Sequence, residues 1–131
     1  MDIVSLAICL ILQVESSNNT DFRSGDDGQA VGPYQMHKIA VREANRIEYI
    51  YAKRYKRNVR IWTYVDRSSL KQSTAMCELT LMWHYRRFQQ YRYPGQEAMN
   101  VIDLACCWNK PNGCATLAYR NRVKKALVKL N

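Results

Sequence analysis

Residues 12–36 read LQVESSNNTDFRSGDDGQAVGPYQM, and this stretch decides what kind of chain this is. The apolar run Ile3–Val14 ends on a lone acid, Glu15, followed by Ser16, Ser17, Asn18 and Asn19. Such side chains compete for backbone hydrogen bonds and stop helices, so a first helix over Ile3–Glu15 is predicted. It is apolar nearly all round and is therefore expected at the centre of the fold. Beyond it, Gly25, Gly28 and Gly32, with Pro33, predict tight turns or a small hairpin between Phe22 and Met36.

Outward from that stretch the pattern is helical. A helix is expected over Lys38–Tyr55, with Ile39, Ala40, Glu43, Ala44, Ile47, Ile50 and Tyr51 at mixed helical spacing. The basic segment KRYKRNVRIWTYV, residues 53–65, reads as an irregular link. Ser69-Leu70-Lys71-Gln72 matches a capping box opening a long helix to about Tyr91, before Tyr93-Pro94-Gly95 breaks the chain. Ala98, Val101, Ile102 and Ala105 trace one face of a further helix. WNKPNG, residues 108–113, is a turn, and Thr116–Leu130 forms a basic amphipathic last helix. No repeat or low-complexity linker interrupts residues 1–131, so a single domain is expected. The fold class is α+β, mainly α, with a central buried helix and a small β-hairpin after it.

A chain of 131 residues is long enough to bury a core without metals or staples. A formal net charge of +9 directs it to anionic partners: nucleic acid, anionic lipid or an anionic polymer such as bacterial cell wall. Cys9, Cys77, Cys106, Cys107 and Cys114 include no CxxC pair or accompanying His at ligand spacing, which argues against zinc. Two readings remain: buried free thiols, or one disulfide from Cys114 to Cys106 or Cys107. Residues 3–14 are too short to span a bilayer, which takes ~20 apolar residues. With Asp2 in place of a basic region and no small-residue cleavage site, they do not read as a signal peptide either.

The chemistry of the opening stretch lies in its carboxylates. A carboxyl at the end of an apolar helix loses solvation of its charged form, which raises its pKa. A raised carboxyl can donate a proton near neutrality, as glycoside cleavage requires at the leaving oxygen. Many glycosidases add a second carboxylate as base or nucleophile. Glu15 with Asp26 or Asp27 fits that division of labour, the Gly-rich turn keeping the aspartates hydrated and ionised. On spacing alone the commoner reading is a solvated glutamate and an Asp-Asp-Gly turn with no chemistry.

Read as a block, VESSNNTDFRSGDDGQAVGPYQM (residues 14–36) resembles the catalytic region of the lysozyme superfamily. It is similar to lytic transglycosylases and to goose-type and invertebrate-type lysozymes. Those families place the acid in a Glu-Ser step at the end of a buried helix. A Gly-aromatic-Gln segment follows, matched here by Gly32-Pro33-Tyr34-Gln35-Met36. A second block, ACCWNKPNGCATLAYRNRV (residues 105–123), resembles the invertebrate-type ending, with Thr116, Tyr119 and Val123 matching its last helix. The resemblance implies a lysozyme-like fold and a muramidase cleaving the β-1,4 bond between N-acetylmuramic acid and N-acetylglucosamine.

On that resemblance Glu15 is the general acid and Asp26 or Asp27 the second carboxylate. Tyr34, Gln35, His37, Asn109 and Tyr119 line the sugar cleft, and no cofactor or metal is called for. Trp108 is a cleft wall or a core residue, the position before a turn favouring core. Trp62 and Tyr64 are expected to pack more than to stack on sugars. The Asn109-Lys110-Pro111-Asn112-Gly113 turn departs from the family's Gly-Gly-Pro-Asn-Gly. The dense disulfide framework of the animal enzymes is absent, which points to a microbial or viral relative.

The implied partner is peptidoglycan, and the implied place of action is extracytoplasmic: secreted, periplasmic or virion-associated. One alternative is a lytic transglycosylase using Glu15 alone and leaving 1,6-anhydro ends. Another is a non-catalytic glycan- or nucleic-acid-binding domain. In the latter, Lys53, Arg54, Lys56, Arg57 and Arg60 would contact phosphates, with Arg86, Arg87 and Arg92, and nearby tyrosines would stack on bases.

Overall fold

The computed structural model describes residues 1–16, 28–109 and 116–130, with Asn109 described by its backbone alone. Among these, α1 spans Ile3–Ser16, α2 Lys38–Arg54, α3 Leu70–Tyr91, α4 Val101–Asn109 and α5 Leu117–Leu130. A 3-10 turn covers Tyr64–Ser68. The protein is mainly helical. Of the expected hairpin, the described residues show an antiparallel bridge between Val31 and Met36, with Ala30 bridged as well, and residues 22–27 lie outside them.

The helix boundaries follow local chemistry. Asp2, two residues into the chain, accepts the Ser5 amide at 2.8 Å and the Ser5 hydroxyl at 3.1 Å, capping α1. At the last described residue of α1 the Ser16 hydroxyl donates back to the Leu12 carbonyl at 3.1 Å. Ser69 caps α3 by accepting the Gln72 amide at 3.1 Å. Only half of the expected capping box forms, since the Gln72 side chain accepts from the Trp62 indole N–H at 3.0 Å. Thr116 caps α5 through the Tyr119 amide.

Two expected helix faces are corrected in part. Ala44, Ile47 and Tyr51 of α2 are buried as expected, but Ile39 is 69% exposed, and Val41, Glu48 and Ala52 join the buried face. Ala98 is exposed and precedes α4, whose buried residues are the consecutive Leu104, Ala105, Cys106 and Cys107. Four buried residues in a row exceed one 3.6-residue turn, so α4 is enclosed on every side there. It packs against α1, α3 and α5. By contrast α1, expected to be central, buries a stripe of Ala7, Leu10 and Ile11 and leaves its other side chains partly covered. The enclosed position therefore belongs to the short α4, which no solvent-facing side chain ties to the surface over that turn.

The link from α2 to α3 is irregular, as expected, and it is fastened by side chains. Asn45 donates to the Trp62 carbonyl at 3.0 Å and accepts the Trp62 amide at 2.9 Å, mimicking a strand partner. Glu48 accepts from Arg57 at 2.6 and 2.8 Å and from the Arg60 amide at 2.9 Å. Trp62 is thereby anchored in the core with Met76, Leu81, Leu104 and Val123. Each large apolar side chain buried there contributes about 1.5–3 kcal/mol.

Candidate functional site

The Gly32–Gln35 segment is a tight turn closed by the Gln35 amide on the Gly32 carbonyl at 2.9 Å. Gly32 has φ +88° and a Cβ there would lie 1.8 Å from the Arg67 carbonyl oxygen, so the turn demands glycine twice over. Gln35, at φ +49°, folds its side-chain amide back onto the same Gly32 carbonyl at 3.0 Å. Arg67 ties this segment to the 3-10 turn. Its guanidinium donates to the carbonyls of Tyr64, Gln29 and Met36 at 2.9, 3.1 and 3.2 Å.

Tyr34 was expected at the cleft, and its side chain is instead fully buried, with no exposed surface. Its hydroxyl shares a 2.7 Å hydrogen bond with Thr74 of α3. Its ring meets Trp108 edge-on, with centroids 6.0 Å apart, and its carbonyl accepts the Trp108 indole N–H at 3.1 Å. Trp108 thus packs, as the position before a turn suggested. Burial raises the Tyr34 hydroxyl well above the ordinary tyrosine range, the Thr74 bond opposing in part and the Cys77, Cys9 and Glu78 groups adding to it. The sequence contained no pointer to Thr74, which lies 40 residues from Tyr34.

Glu15 stands at the C-terminal end of α1, partly buried, between α3 and α5. Its carboxylate acts on the Cys77 thiol of α3 and on the Tyr119 hydroxyl of α5. Burial first, then Glu78 and Glu15, push the Cys77 thiol well up. Burial first, then Glu15, likewise raise the Tyr119 hydroxyl. Both groups stay protonated at neutral pH, so neither adds charge beside Glu15. Tyr119, expected to touch sugar, is a buried residue. The nearness of Cys77 was not foreseen; in the sequence it is one more apolar position on α3.

The remaining expected site residues divide. Gln35 and His37 are partly exposed and lie on either side of the buried Met36. Asp26 and Asp27 lie outside the described residues, as does the Lys110–Gly113 part of the late turn, and the Asn109 side chain does so too. Trp62 is buried, in line with packing, whereas Tyr64 is exposed. Cys106 is disulfide-bonded, while Cys9, Cys77 and Cys107 are free. One disulfide is therefore present, and it selects Cys106 over Cys107; Cys114 itself lies outside the described residues.

The basic residues considered for nucleic acid mostly face the protein's own rings. Arg54 and Arg86 sit over Tyr51 at 6.0 and 5.7 Å, Arg87 over Trp83 and Tyr91 at 5.3 and 5.4 Å, and Lys53 over Tyr49 at 5.4 Å. Tyr55 stacks on Tyr51. Arg57 is engaged by Glu48. Among the described residues no helix is long and apolar enough to cross a membrane, and no cluster of His, Cys, Asp and Glu could hold a metal ion. No protein-family model matches the chain, and no curated protein or solved structure matches it.

Proposed function

We propose that this protein is a peptidoglycan-cleaving glycosidase of the lysozyme-like kind, with Glu15 as the general acid. One observation carries the reading. Two blocks from opposite ends of the chain, each read in the sequence as part of one catalytic domain, meet in space. Tyr34 packs on Trp108, 74 residues away, and Glu15 faces Tyr119 across the α1–α5 contact. Glu15 would deliver its proton to the glycosidic oxygen from the end of a helix embedded among apolar neighbours. Tyr34, Thr74, Trp108 and Tyr119 would act by positioning, holding the turn and the helix end that frame the cleft. The +9 charge supports accumulation on a polyanionic wall.

The test is turbidity clearing of a cell-wall suspension by wild type and Glu15→Gln. Clearing that falls about 10²–10⁴-fold in the variant, with the fold intact by circular dichroism, is the expected result. Equal clearing by both proteins overturns the role of Glu15. Mass analysis of the products separates a reducing end, from hydrolysis assisted by Asp26 or Asp27, from the anhydro end of a lytic transglycosylase.

A further inference from the structure

The link between α2 and α3 presents apolar side chains to water. Ile61 is 75% exposed and Val65 81% exposed, with the half-exposed Tyr64 between them. The first turn of α2 comes up against the same stretch: Lys38 Nζ lies 5.0 Å from the centre of the Tyr64 ring, and the exposed Ile39 follows Lys38. Side chains this exposed project from the surface and line no groove of their own chain. Aliphatic side chains gathered in this way mark a contact surface.

The main chain behind them is already satisfied. The Arg60 amide donates to Glu48 at 2.9 Å, the Trp62 amide to Asn45 at 2.9 Å and the Thr63 amide to Asp66 at 2.8 Å. The Trp62 carbonyl accepts from Asn45 at 3.0 Å. A segment pressed against hydrocarbon requires its polar groups to be paired inside the protein, and these are. With Trp62 held in the core, alternation along the extended chain turns Ile61 outward.

Cations flank the aliphatic tips. Besides Lys38, the Arg60 guanidinium carbon lies 5.2 Å from the centre of the Trp62 ring, and Lys71 is exposed in the first turn of α3. Aliphatic side chains flanked by Lys, Arg and Tyr suit a bilayer interface. The apolar part enters the boundary between headgroups and acyl chains, and the cations meet anionic headgroups. A net charge of +9 opposes a second copy of this chain as the occupant. Nucleic acid, met chiefly through its phosphates, would leave projecting aliphatic side chains in water.

We propose that the Ile61–Val65 stretch docks this protein on an anionic lipid bilayer. Ile61 and Val65 enter the interface, and Lys38, Arg60 and Lys71 meet the headgroups. The surface does not involve Glu15 and stands whether or not the protein cleaves glycan.

The experiment is co-sedimentation of the protein with vesicles of phosphatidylglycerol and phosphatidylcholine in equal parts, and with vesicles of phosphatidylcholine alone. Saturable binding to the anionic vesicles, and weaker binding to the neutral ones, is expected. Ile61→Ser/Val65→Ser changes two side chains that lie mostly in water, so the fold is retained, and it weakens binding about tenfold or more. Val128→Ser, at a 73% exposed position on α5, leaves binding unchanged. Failure to bind either vesicle overturns the proposal and leaves an acidic protein as the partner. Binding kept in full by the double variant, or lost equally in Val128→Ser, overturns it as well, since net charge or general apolarity would then hold the protein. Glu15→Gln sediments as wild type does, so a failed glycosidase reading and a failed lipid surface give different results.

Discussion

Glu15 and Glu48 are both glutamates set on helices against the core, and their surroundings differ in kind. Glu48, 3% exposed, accepts two hydrogen bonds from Arg57 and one from the Arg60 amide. The Arg57 bonds above all hold its carboxyl below the ordinary glutamate range. Glu15 instead acts on a buried hydroxyl and a buried thiol, both held protonated. A compensated carboxylate fastens a loop and has no proton to give at neutrality. Glu48 is thereby a structural residue, while the catalytic role proposed for Glu15 rests on its place at the end of α1 by Cys77 and Tyr119.

The sharpest way to break this comparison is to neutralise each carboxylate in turn. Glu15→Gln is expected to lower wall clearing about 10²–10⁴-fold. Glu48→Gln should leave the rate per folded molecule unchanged in the same turbidity assay. Gly32→Ala touches neither glutamate but disturbs the turn between them. The left-handed backbone and the 1.8 Å approach to the Arg67 carbonyl oxygen should destabilise the fold by about 3 kcal/mol or more, read by urea denaturation.

Next comes the pH dependence of Glu48. Its folded pKa lies below the usual value of 4.5, so its stabilisation is complete above that value. It is lost as pH falls through the folded pKa. Wild type should exceed Glu48→Gln by about 1–2 kcal/mol near neutrality, with the two melting curves converging in acid. The smallest effect expected is from Tyr34→Phe, which removes the 2.7 Å bond to Thr74 and should cost about 1 kcal/mol by the same denaturation measurement. A Tyr34→Phe variant that keeps its stability but loses wall clearing would return Tyr34 to the cleft.

Much of the helical layout was legible beforehand because its signals are local. The Ser69 cap and the Tyr93-Pro94-Gly95 break each act within a few residues. Asp2, read only as the lack of a basic region, is the cap of α1 for the same local reason. What failed was the reading of faces and depth. Ile39 satisfies helical spacing yet faces solvent, while the charged Glu48 is buried because Arg57 and the Arg60 amide come to meet it. Tyr34 and Tyr119 are chemically suited to hydrogen-bond a sugar, and both lie inside, since burial depends on neighbours 40 or more residues away.

By itself the sequence determined where helices start and stop, the Gly-Pro turn at residues 32–35, the strong positive charge and the candidacy of Glu15. These follow from short-range sterics, hydrogen bonding and composition. Only the tertiary structure decided that α4 is the enclosed helix, that Tyr34 meets Trp108 and Thr74, and that Glu15 comes to lie by Cys77 and Tyr119. It also decided that Lys38 comes to lie over the Tyr64 ring. Those pairings depend on how helices distant in sequence pack, and packing is settled by shape and burial over the whole core rather than by any one segment.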